Sequence, residues 1–258
     1  MIAGIFHEGS GLGNQIHRYV MARVLAKDKG VDFGMVNPHL FKGASFLSLD
    51  MGKPVQGIEH KFNEERVNNK HGEDIRDYDW SIKKVKDNTC IDGEFQGEDY
   101  YKHRLGEIRE WFKTDPLFAP ENECVITFRG GEYLYFPDLF LTKKYWSDAI
   151  EHMKKINPKM TFRVITDDVE TARQFFPYYI ITHEIGDDWR SIRYAKYLIL
   201  SNSSFGILPT LLNEDKKFVI APMYWARHNV SDGYWCLEQN KYAGWNYQDR
   251  NGKLQQVK

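Results

Sequence analysis

Short apolar segments of strand length alternate with amphipathic segments of helix length along most of this chain of 258 residues. The strand-like segments are nearly continuous apolar runs, whereas the helix-like segments repeat apolar residues every three or four positions. Parallel strands need crossover helices between them, so this alternation is typical of a mostly parallel sheet. The sequence therefore predicts an α/β protein.

The predicted elements are clearer in the second half of the chain than in the first. The predicted strands are residues 2–6, 31–36, 89–95, 124–128, 161–165, 178–181, 197–200 and 217–220. The predicted helices are residues 14–29, 98–112, 142–156 and 188–196. Residues 37–88 are polar and are predicted to be rich in loops. Residues 113–122 hold two prolines and no periodicity, which indicates a boundary there between an N-terminal lobe, 1–115, and a C-terminal lobe, 116–258.

Composition excludes several classes of partner. A formal net charge of -1 gives no electrostatic reason to expect nucleic acid. The three cysteines are far apart and form no CxxC pair, which argues against a disulfide framework or a zinc site and favours a reducing compartment. No apolar run reaches the length of a transmembrane helix. The sequence predicts a cytoplasmic protein, with peripheral association as the one membrane contact left open.

A glycine-rich segment follows the first predicted strand, at residues 9–15. Its glycines allow backbone N–H groups to approach a ligand, and the start of the following helix favours an anion. A Walker loop is rejected because Asn14 and Gln15 replace its Gly-Lys-Ser/Thr ending, and Asn14 also weakens a dinucleotide fingerprint. We predict a ligand loop with Gly11, Gly13, Asn14 and Gln15 as binding residues; the alternative is a plain turn between strand and helix.

Arg129 follows the predicted strand 124–128 directly and precedes two glycines. Ligands of open α/β sheets bind at the carboxyl ends of strands, and a guanidinium group matches two phosphate oxygens at once. Arg129 is therefore a candidate for phosphate binding and catalysis. The alternative is an ion pair between Arg129 and Glu132 or another carboxylate.

A serine-rich segment, residues 201–206, follows the predicted strand 197–200. Small hydroxyls at the start of a helix bind phosphate through O–H and backbone N–H groups, so Ser203, Ser204 and Phe205 are candidate phosphate-binding residues. The alternative is helix capping by Ser203 or Ser201. Pro209 falls beyond the first turn of a helix that begins at Ser204, so we expect that helix to begin later or to be kinked.

Two acidic pairs are weaker candidates for a metal site. Asp77 and Asp79 form an Asp-x-Asp sequence, but polar residues precede it, which indicates a solvated loop. Asp167 and Asp168 form the second pair, and helix capping explains them better than a metal does. Asp167 is predicted to be a helix N-cap, with Glu170 as its capping-box partner. The nine histidines show no metal-ligand spacing. No metal ligand is therefore predicted.

Several of these segments together resemble glycosyltransferase family 11, the α-1,2-fucosyltransferases. The similar segments appear in the family's order: 11–15 with its amphipathic helix, 92–101, 129–133, 165–168, 201–205, and 220–222 with Trp225. The similarity spans most of the chain, from about Gly9 to Trp225. Four departures are visible, namely Thr127 in place of His, Gly130 in place of a second Arg, Glu132 in place of Asp, and Gly206 where the family has Trp.

The resemblance implies a GT-B fold with two facing Rossmann-like lobes that have parallel sheets. It implies a GDP-sugar donor, usually GDP-fucose, an acceptor glycan, inversion at the anomeric carbon, and no metal or other cofactor. The nucleotide would bind mainly to the second lobe and the acceptor mainly to the first. Asp188 matches the position of an Asp that accepts hydrogen bonds from guanine; the alternative is that Asp187 or Asp188 caps a helix.

The favoured function is an inverting, metal-independent glycosyl transfer. Arg129 and the backbone amides of the glycine and serine loops would stabilise the leaving diphosphate. A carboxylate, Glu132 or Glu8, would take the proton of the acceptor hydroxyl. Two alternatives stay open: a metal-dependent glycosyltransferase that uses Asp77 and Asp79, and a catalytically silent nucleotide- or glycan-binding protein.

Overall fold

The structure of the chain, a computed structural model, describes residues 1–65, 67–68, 74–75, 78–228 and 241–256. The chain divides into two compact units, Met1–Thr114 and Asp115–Lys258. This division and the predicted lobe boundary differ by one residue; the roles predicted for the two lobes stay predictions. None of the described helices is both long enough and apolar enough to cross a membrane.

The first unit is built on a four-stranded parallel sheet in the order β2-β1-β6-β3. Its elements are β1 (Ile2–Ile5), α1 (Leu12–Lys29), β2 (Phe33–Val36), β3 (His60–Asn63), β4 (Val67–Asn68), β5 (Asp74–Ile75), β6 (Thr89–Asp92) and α2 (Leu105–Trp111). The short strands β4 and β5 form a separate antiparallel pair. The chain leaves β1 for β2 on one side, whereas β6 lies on the other side of β1. The carboxyl ends of β1 and β6 therefore flank the point where the winding of the sheet reverses.

Helix α1 packs closely against β1 at Gly4 and ends at Gly30. A Cβ atom on Gly4 of β1 would lie 2.9 Å from the Cβ of Ala22, so only glycine allows this approach. Ile16, Tyr19 and Val20 on the same helix are fully buried. Gly30 ends the helix in the left-handed conformation, with φ 67°, and its N–H bonds the carbonyls of the last turn. The predicted helix and its predicted stop at Gly30 are confirmed.

The second unit is built on a seven-stranded sheet in the order β13-β12-β11-β10-β7-β8-β9. Its elements are β7 (Glu123–Phe128), α3 (Lys143–Ile156), β8 (Thr161–Thr166), α4 (Val169–Phe175), β9 (Ile180–Thr182), α5 (Ile185–Tyr194), β10 (Tyr197–Ile199), α6 (Ile207–Leu212), β11 (Phe218–Pro222), β12 (Asn246–Gln248) and β13 (Leu254–Gln256). All neighbouring strands are parallel except β12 and β13. Counted from β7, the parallel strands follow the order 3-2-1-4-5-6 of doubly wound nucleotide-binding sheets.

The core of the second unit lies between this sheet and α3. Tyr145, Trp146, Ala149 and Met153 of α3 are buried in one cluster with apolar residues of the sheet. Each large side chain removed from water in this way contributes about 1.5–3 kcal/mol to folding. The period of these residues is the one that the sequence shows, so the predicted helix at 142–156 is confirmed. The predicted α/β class with parallel-dominated sheets is confirmed as well.

Several predictions of secondary structure were wrong or incomplete. The predicted helix at 98–112 is α-helical only in α2; two short 3-10 helices, Glu98–Tyr100 and Lys102–Arg104, precede it. Tyr101 separates them with a non-helical φ of -144°, and its buried side chain donates a hydrogen bond to the carbonyl of Gln96 at 3.1 Å. Strand β3 lies inside the segment predicted as loops, and β12 and β13 were not predicted. β3 is a mostly exposed, polar edge strand, so it lacks an apolar pattern.

Candidate functional site

The order in which strands are added to the second sheet reverses between β7 and β10, and because these two strands are parallel neighbours, the loops after them lie side by side. Thr127 at the end of β7 accepts a hydrogen bond from the backbone N–H of Ser201 at 2.8 Å. The hydroxyl of Tyr133 donates to the carbonyl of Asn202 at 3.3 Å. These bonds join the arginine loop, residues 129–133, to the serine loop, residues 201–206. Ligands of open α/β sheets bind at such a switch point, so these loops define the candidate site.

Arg129 is bound to two carboxylates in this structure. Its guanidinium forms ion pairs with Asp167 and, at 2.7 Å, with Glu132, and it lies over the ring of Tyr133. The side chain of Glu132 is 66% exposed, whereas that of Arg129 is 29% exposed. The predicted phosphate-binding arginine therefore stands at the carboxyl end of its strand, and the predicted alternative, an ion pair with Glu132, is present too.

Two aspartates follow β8, and the helix cap predicted for Asp167 is formed by Asp168 instead. Asp168, and not Asp167, caps α4, because its carboxylate accepts the N–H of Thr171 at 3.0 Å. Asp167 instead accepts the N–H of Gly130 at 2.9 Å and pairs with Arg129. Burial alone would raise the pKa of Asp168, but hydrogen bonds from Thr171 and from backbone N–H groups outweigh it and lower that pKa. Both carboxylates therefore hold the arginine loop against α4.

The serine loop combines a cap with half-exposed hydroxyls. Ser203 caps a 3-10 helix, Ser204–Gly206, and its hydroxyl accepts the N–H of Phe205 at 3.4 Å. Helix α6 begins only at Ile207, so Pro209 lies in its first turn, where no backbone donor is lost. The predicted later start of this helix is confirmed. Capping by Ser203 is real, and Ser203 and Ser204 stay partly accessible.

A small pocket that is open to solvent adjoins the serine loop. It is lined by Leu200, Ser201, Ser203, Ile207, Ala221, Pro222, Met223, Trp225, Lys241, Tyr242, Trp245 and Tyr247. Trp245 is 2% exposed, and its Nε1 has no hydrogen-bond partner among the described residues. The pocket is thus mainly aromatic and apolar, with a few hydroxyls, as small-ligand sites usually are. Sequence reasoning missed it, although the aromatic residues of the tail were a visible signal.

Asp188 caps no helix, because α5 begins at Ile185 and its N-cap is Glu184. The predicted helix start at Asp188, and the cap assigned to Asp187 or Asp188, are therefore wrong. Asp188 is 5% exposed and accepts a hydrogen bond from the hydroxyl of Thr182 at 2.7 Å. Burial raises the pKa of Asp188 to about 6. Such a shifted carboxylate at the start of α5 is a candidate for a functional role.

Helix α5 also packs against the serine loop. The ring centroids of Trp189 and Phe205 lie 6.2 Å apart in an edge-on arrangement. Asp188 is the residue before Trp189, so its helix turn borders the loop that holds Ser203 and Ser204. Phe205, predicted as a phosphate-binding residue, therefore serves at least as the packing contact between this loop and α5.

In the first unit, the glycine loop lies at the carboxyl end of β1. Gly9 has a φ of 78°, which favours glycine, and Gly11 precedes α1 without a side-chain cap. The amide of Gln15 is buried and bonds to the backbone of Leu40 and Lys42, at 2.8 and 2.9 Å. This predicted binding side chain is therefore occupied within the fold, where it holds the segment after β2.

The other predicted residues of the glycine loop differ in their accessibility. Asn14 is half-buried and accepts a hydrogen bond from the amide of Gln96 at 3.1 Å. Gly13 is buried, whereas Gly11 is exposed. Of these residues, Gly11 and in part Asn14 are therefore the ones accessible from solvent.

His7 and Asp92 form a pair that sequence reasoning missed. They follow or end the neighbouring strands β1 and β6, and the Nε2 of His7 lies 2.9 Å from each carboxylate oxygen of Asp92. The guanidinium of Arg18 lies 3.9 Å from Asp92 and donates to the hydroxyl of Ser10 at 2.9 Å. A histidine directly after the first strand was the available signal, but its partner is 85 residues away.

The structure describes only one of the two residues of the Asp-x-Asp alternative, so this alternative stays untested. Asp77 lies outside the described residues. The two carboxylate oxygens of Asp79 accept the backbone N–H groups of Ser81 and Glu65, at 2.9 and 3.1 Å. Within the described ranges, no group of three or more His, Cys, Asp or Glu side chains is placed to hold a metal ion.

Fold and site together define an α/β protein whose second unit has the strand order of a doubly wound nucleotide-binding sheet. No protein-family model matches the chain, and no curated protein matches it. The resemblance to glycosyltransferase family 11 therefore stays a prediction.

Proposed function

We propose that the protein is a glycosyltransferase of the GT-B type that transfers a sugar, fucose in the favoured form, from a GDP-sugar to a hydroxyl of an acceptor glycan. One observation carries this proposal: the second unit places Arg129 and the serine loop on the two sides of the switch point of a doubly wound sheet. An extended ligand with a charged centre, such as a nucleoside diphosphate sugar, suits this position.

The diphosphate would bind at Arg129, with hydroxyl groups of the serine loop as further donors. To bind, the negatively charged diphosphate must displace the carboxylate of Glu132 from Arg129. The side chain of Glu132 is 66% exposed. Exposed ion pairs contribute only about 0–1 kcal/mol, so this exchange costs little. Arg129 then keeps Asp167 as its second partner, which fixes the direction of the guanidinium. Removal of the phosphate contact would destabilise the departing diphosphate in the transition state.

The two halves of the donor would extend to opposite sides of the switch point. Guanine presents two parallel N–H donors, which a carboxylate accepts, and Asp188 borders the serine loop through α5. The sugar would lie in the pocket at the carboxyl ends of β10 and β11. Trp225 is one of the residues that line this pocket, and an indole face suits the C–H groups of a sugar.

A second candidate, a nucleotide-binding protein without catalysis, has one observation in its favour. Arg129 is paired with two carboxylates, and Gly130 stands where the family has a second basic residue. A site with one partly neutralised arginine binds a diphosphate more easily than it stabilises the extra charge of a leaving group. This candidate predicts binding of GDP without turnover.

A ligand screen separates these functions. The full chain is mixed with GDP, UDP, GDP-fucose and GDP-mannose, the GDP-sugars together with a set of methyl glycosides as acceptors, and the melting temperature and the release of GDP are measured. A ligand at about 100 times its Kd adds roughly 2.7 kcal/mol to the free energy of unfolding, which is readily seen as a shift. Stabilisation by guanine nucleotides with release of GDP supports the glycosyltransferase. Stabilisation without release supports the silent protein, and a preference for UDP contradicts the guanine assignment.

A further inference from the structure

His183 stands directly after β9, at the carboxyl edge of the second sheet. Strands β8 and β9 are parallel neighbours, with Ile165 opposite Thr182. The Nδ1 atom of His183 lies 2.5 Å from the carbonyl oxygen of Thr166, the last residue of β8. The imidazole is therefore attached to the neighbouring strand, although the residue is exposed to solvent. Open α/β sheets bind ligands at this edge, so an exposed and anchored side chain here is a candidate for binding.

The hydrogen bond to Thr166 decides what the other nitrogen of the ring can do. A carbonyl oxygen only accepts, so Nδ1 of His183 carries the hydrogen of this bond. In the neutral ring Nε2 is then an unprotonated acceptor, and it has no hydrogen-bond partner among the residues that the structure describes. The imidazole is thus fixed through one nitrogen and offers an acceptor with the other.

On one side, His183 has Asp188 as its neighbour. The residue before His183 is Thr182, whose hydroxyl donates to the carboxylate of Asp188 at 2.7 Å. Burial raises the pKa of Asp188 to about 6, while the bond from Thr182 and a positive charge on His183 oppose this rise. The imidazole therefore lies within electrostatic reach of the carboxylate to which guanine is assigned.

On the other side, contacts lead from His183 to the arginine loop. Thr166, which holds the imidazole, is followed by Asp167, and Asp167 forms an ion pair with Arg129. Contacts thus connect Asp188, His183, Asp167 and Arg129 in this order. A nucleoside diphosphate has the matching order of base, ribose and diphosphate. With the base at Asp188 and the diphosphate at Arg129, the ribose is the part that falls beside His183.

The chemistry of Nε2 favours the same part of the ligand. Phosphate oxygens of a diphosphate are acceptors, so they form no hydrogen bond with an unprotonated Nε2. The ribose hydroxyls are donors and can bind it. Attachment of His183 to β8 uses only Nδ1, so the anchoring role of the side chain does not involve Nε2.

We propose that His183 is the ribose-binding residue of the nucleotide site, with Nε2 accepting a hydrogen bond from a ribose hydroxyl. This inference rests on the proposed glycosyltransferase function, because that function places a guanine nucleotide at this edge. All the groups that it uses belong to the second unit. Loss of one neutral hydrogen bond weakens binding by about 3- to 10-fold.

The test is calorimetric titration of the full chain with GDP, 2′-deoxy-GDP and 3′-deoxy-GDP. We expect wild type to bind GDP about 3- to 10-fold more tightly than at least one of the two deoxynucleotides. His183→Asn keeps a donor near the position of Nδ1 but lacks Nε2. It should keep the wild-type melting temperature, bind GDP as weakly as wild type binds that deoxynucleotide, and no longer distinguish the two. His183→Gln, which places an amide oxygen near the position of Nε2, should recover part of the difference.

His152→Gln is the matched control. His152 lies on α3 of the same unit, and its Nε2 also bonds a backbone carbonyl, that of Gly252, at 2.7 Å. This variant should distinguish the three nucleotides as wild type does. Wild type that binds GDP and both deoxynucleotides equally, or His183→Asn that keeps the full difference, overturns the role of His183 and leaves the proposed function standing. Wild type that binds none of the three nucleotides overturns both.

Discussion

Arg129 forms ion pairs with two carboxylates, Glu132 and Asp167. The diphosphate of the proposed donor would compete with Glu132 for the guanidinium group. We predict that Arg129→Ala loses about 3 kcal/mol of transition-state stabilisation, roughly 100-fold or more in kcat/KM for a GDP-sugar. Arg129→Lys should also fail largely, because a point charge does not reproduce the two parallel bonds of a guanidinium. Steady-state release of GDP measures both effects.

Arg190→Ala is the matched control for this prediction. Arg190 also pairs with an aspartate of the second unit, Asp187, on the surface of α5. Its loss should leave turnover and stability nearly unchanged. Normal turnover in a folded Arg129→Ala variant would mean that Arg129 only holds its loop in place.

Asp188 makes the stability of the protein depend on pH. Burial raises its pKa to about 6 in the folded chain, against about 4 in the unfolded chain. The unfolded state therefore ionises first, and wild type loses stability as the pH rises from about 4 through 6. Asp188→Asn keeps an acceptor for Thr182 without this titration.

We therefore predict that Asp188→Asn gains stability over wild type as the pH rises from 4 to 7, by up to about 3 kcal/mol. Urea unfolding at several pH values measures the difference. The same ionisation would let Asp188 accept from guanine, so GDP should bind wild type more weakly below pH 6 and the variant weakly throughout. An unchanged pH dependence in Asp188→Asn would show that this carboxyl titrates normally.

At the scale of elements, the site depends on how β7 and β10 are joined. The hydroxyl of Thr127 is buried and accepts the N–H of Ser201 at 2.8 Å. Thr127→Val keeps the shape of the side chain but leaves this N–H without a partner, which costs about 1–3 kcal/mol. We predict this loss in the free energy of unfolding, together with weaker GDP binding because the serine loop is less firmly held.

Thr161→Val is the comparison for Thr127→Val. Thr161 lies on β8 of the same sheet, and its exposed hydroxyl bonds the carbonyl of Asn122 at 3.2 Å. Water replaces such a bond, so the change should stay within about 0.5 kcal/mol. If both variants lower the free energy of unfolding by the same amount, the hydrogen bond between Thr127 and Ser201 contributes no more to stability than an exposed one.

At the scale of the whole molecule, we predict transfer that does not depend on a metal ion. The charge of the diphosphate would be met by Arg129 and by hydrogen-bond donors, while Asp79 and Asp168 already accept backbone N–H groups. Turnover of GDP-fucose should be the same with and without excess EDTA. Complete loss of activity in EDTA that manganese restores would contradict this prediction. It would favour the metal-dependent alternative that uses Asp77 and Asp79.

The α/β class and much of the second unit follow from local sequence patterns. Helix α3, strands β7 and β8, and the end of α1 at Gly30 were predictable because the periodicity of apolar residues and the conformational freedom of glycine act within a few residues. The same holds for Arg129, since a residue directly after a buried strand must stand at the edge of the sheet.

Other features were decided only by contacts that are distant in sequence. The pair of His7 and Asp92 exists because β1 and β6 become neighbours, and strand order cannot be read from the local pattern of either strand. Edge strand β3 and the tail strands β12 and β13 are short, and they exist because a neighbouring strand offers backbone partners. Likewise Asp168 rather than Asp167 caps α4, because the arginine loop binds the other carboxylate. Local patterns set the elements, whereas the order in which strands pair placed the chemical groups side by side.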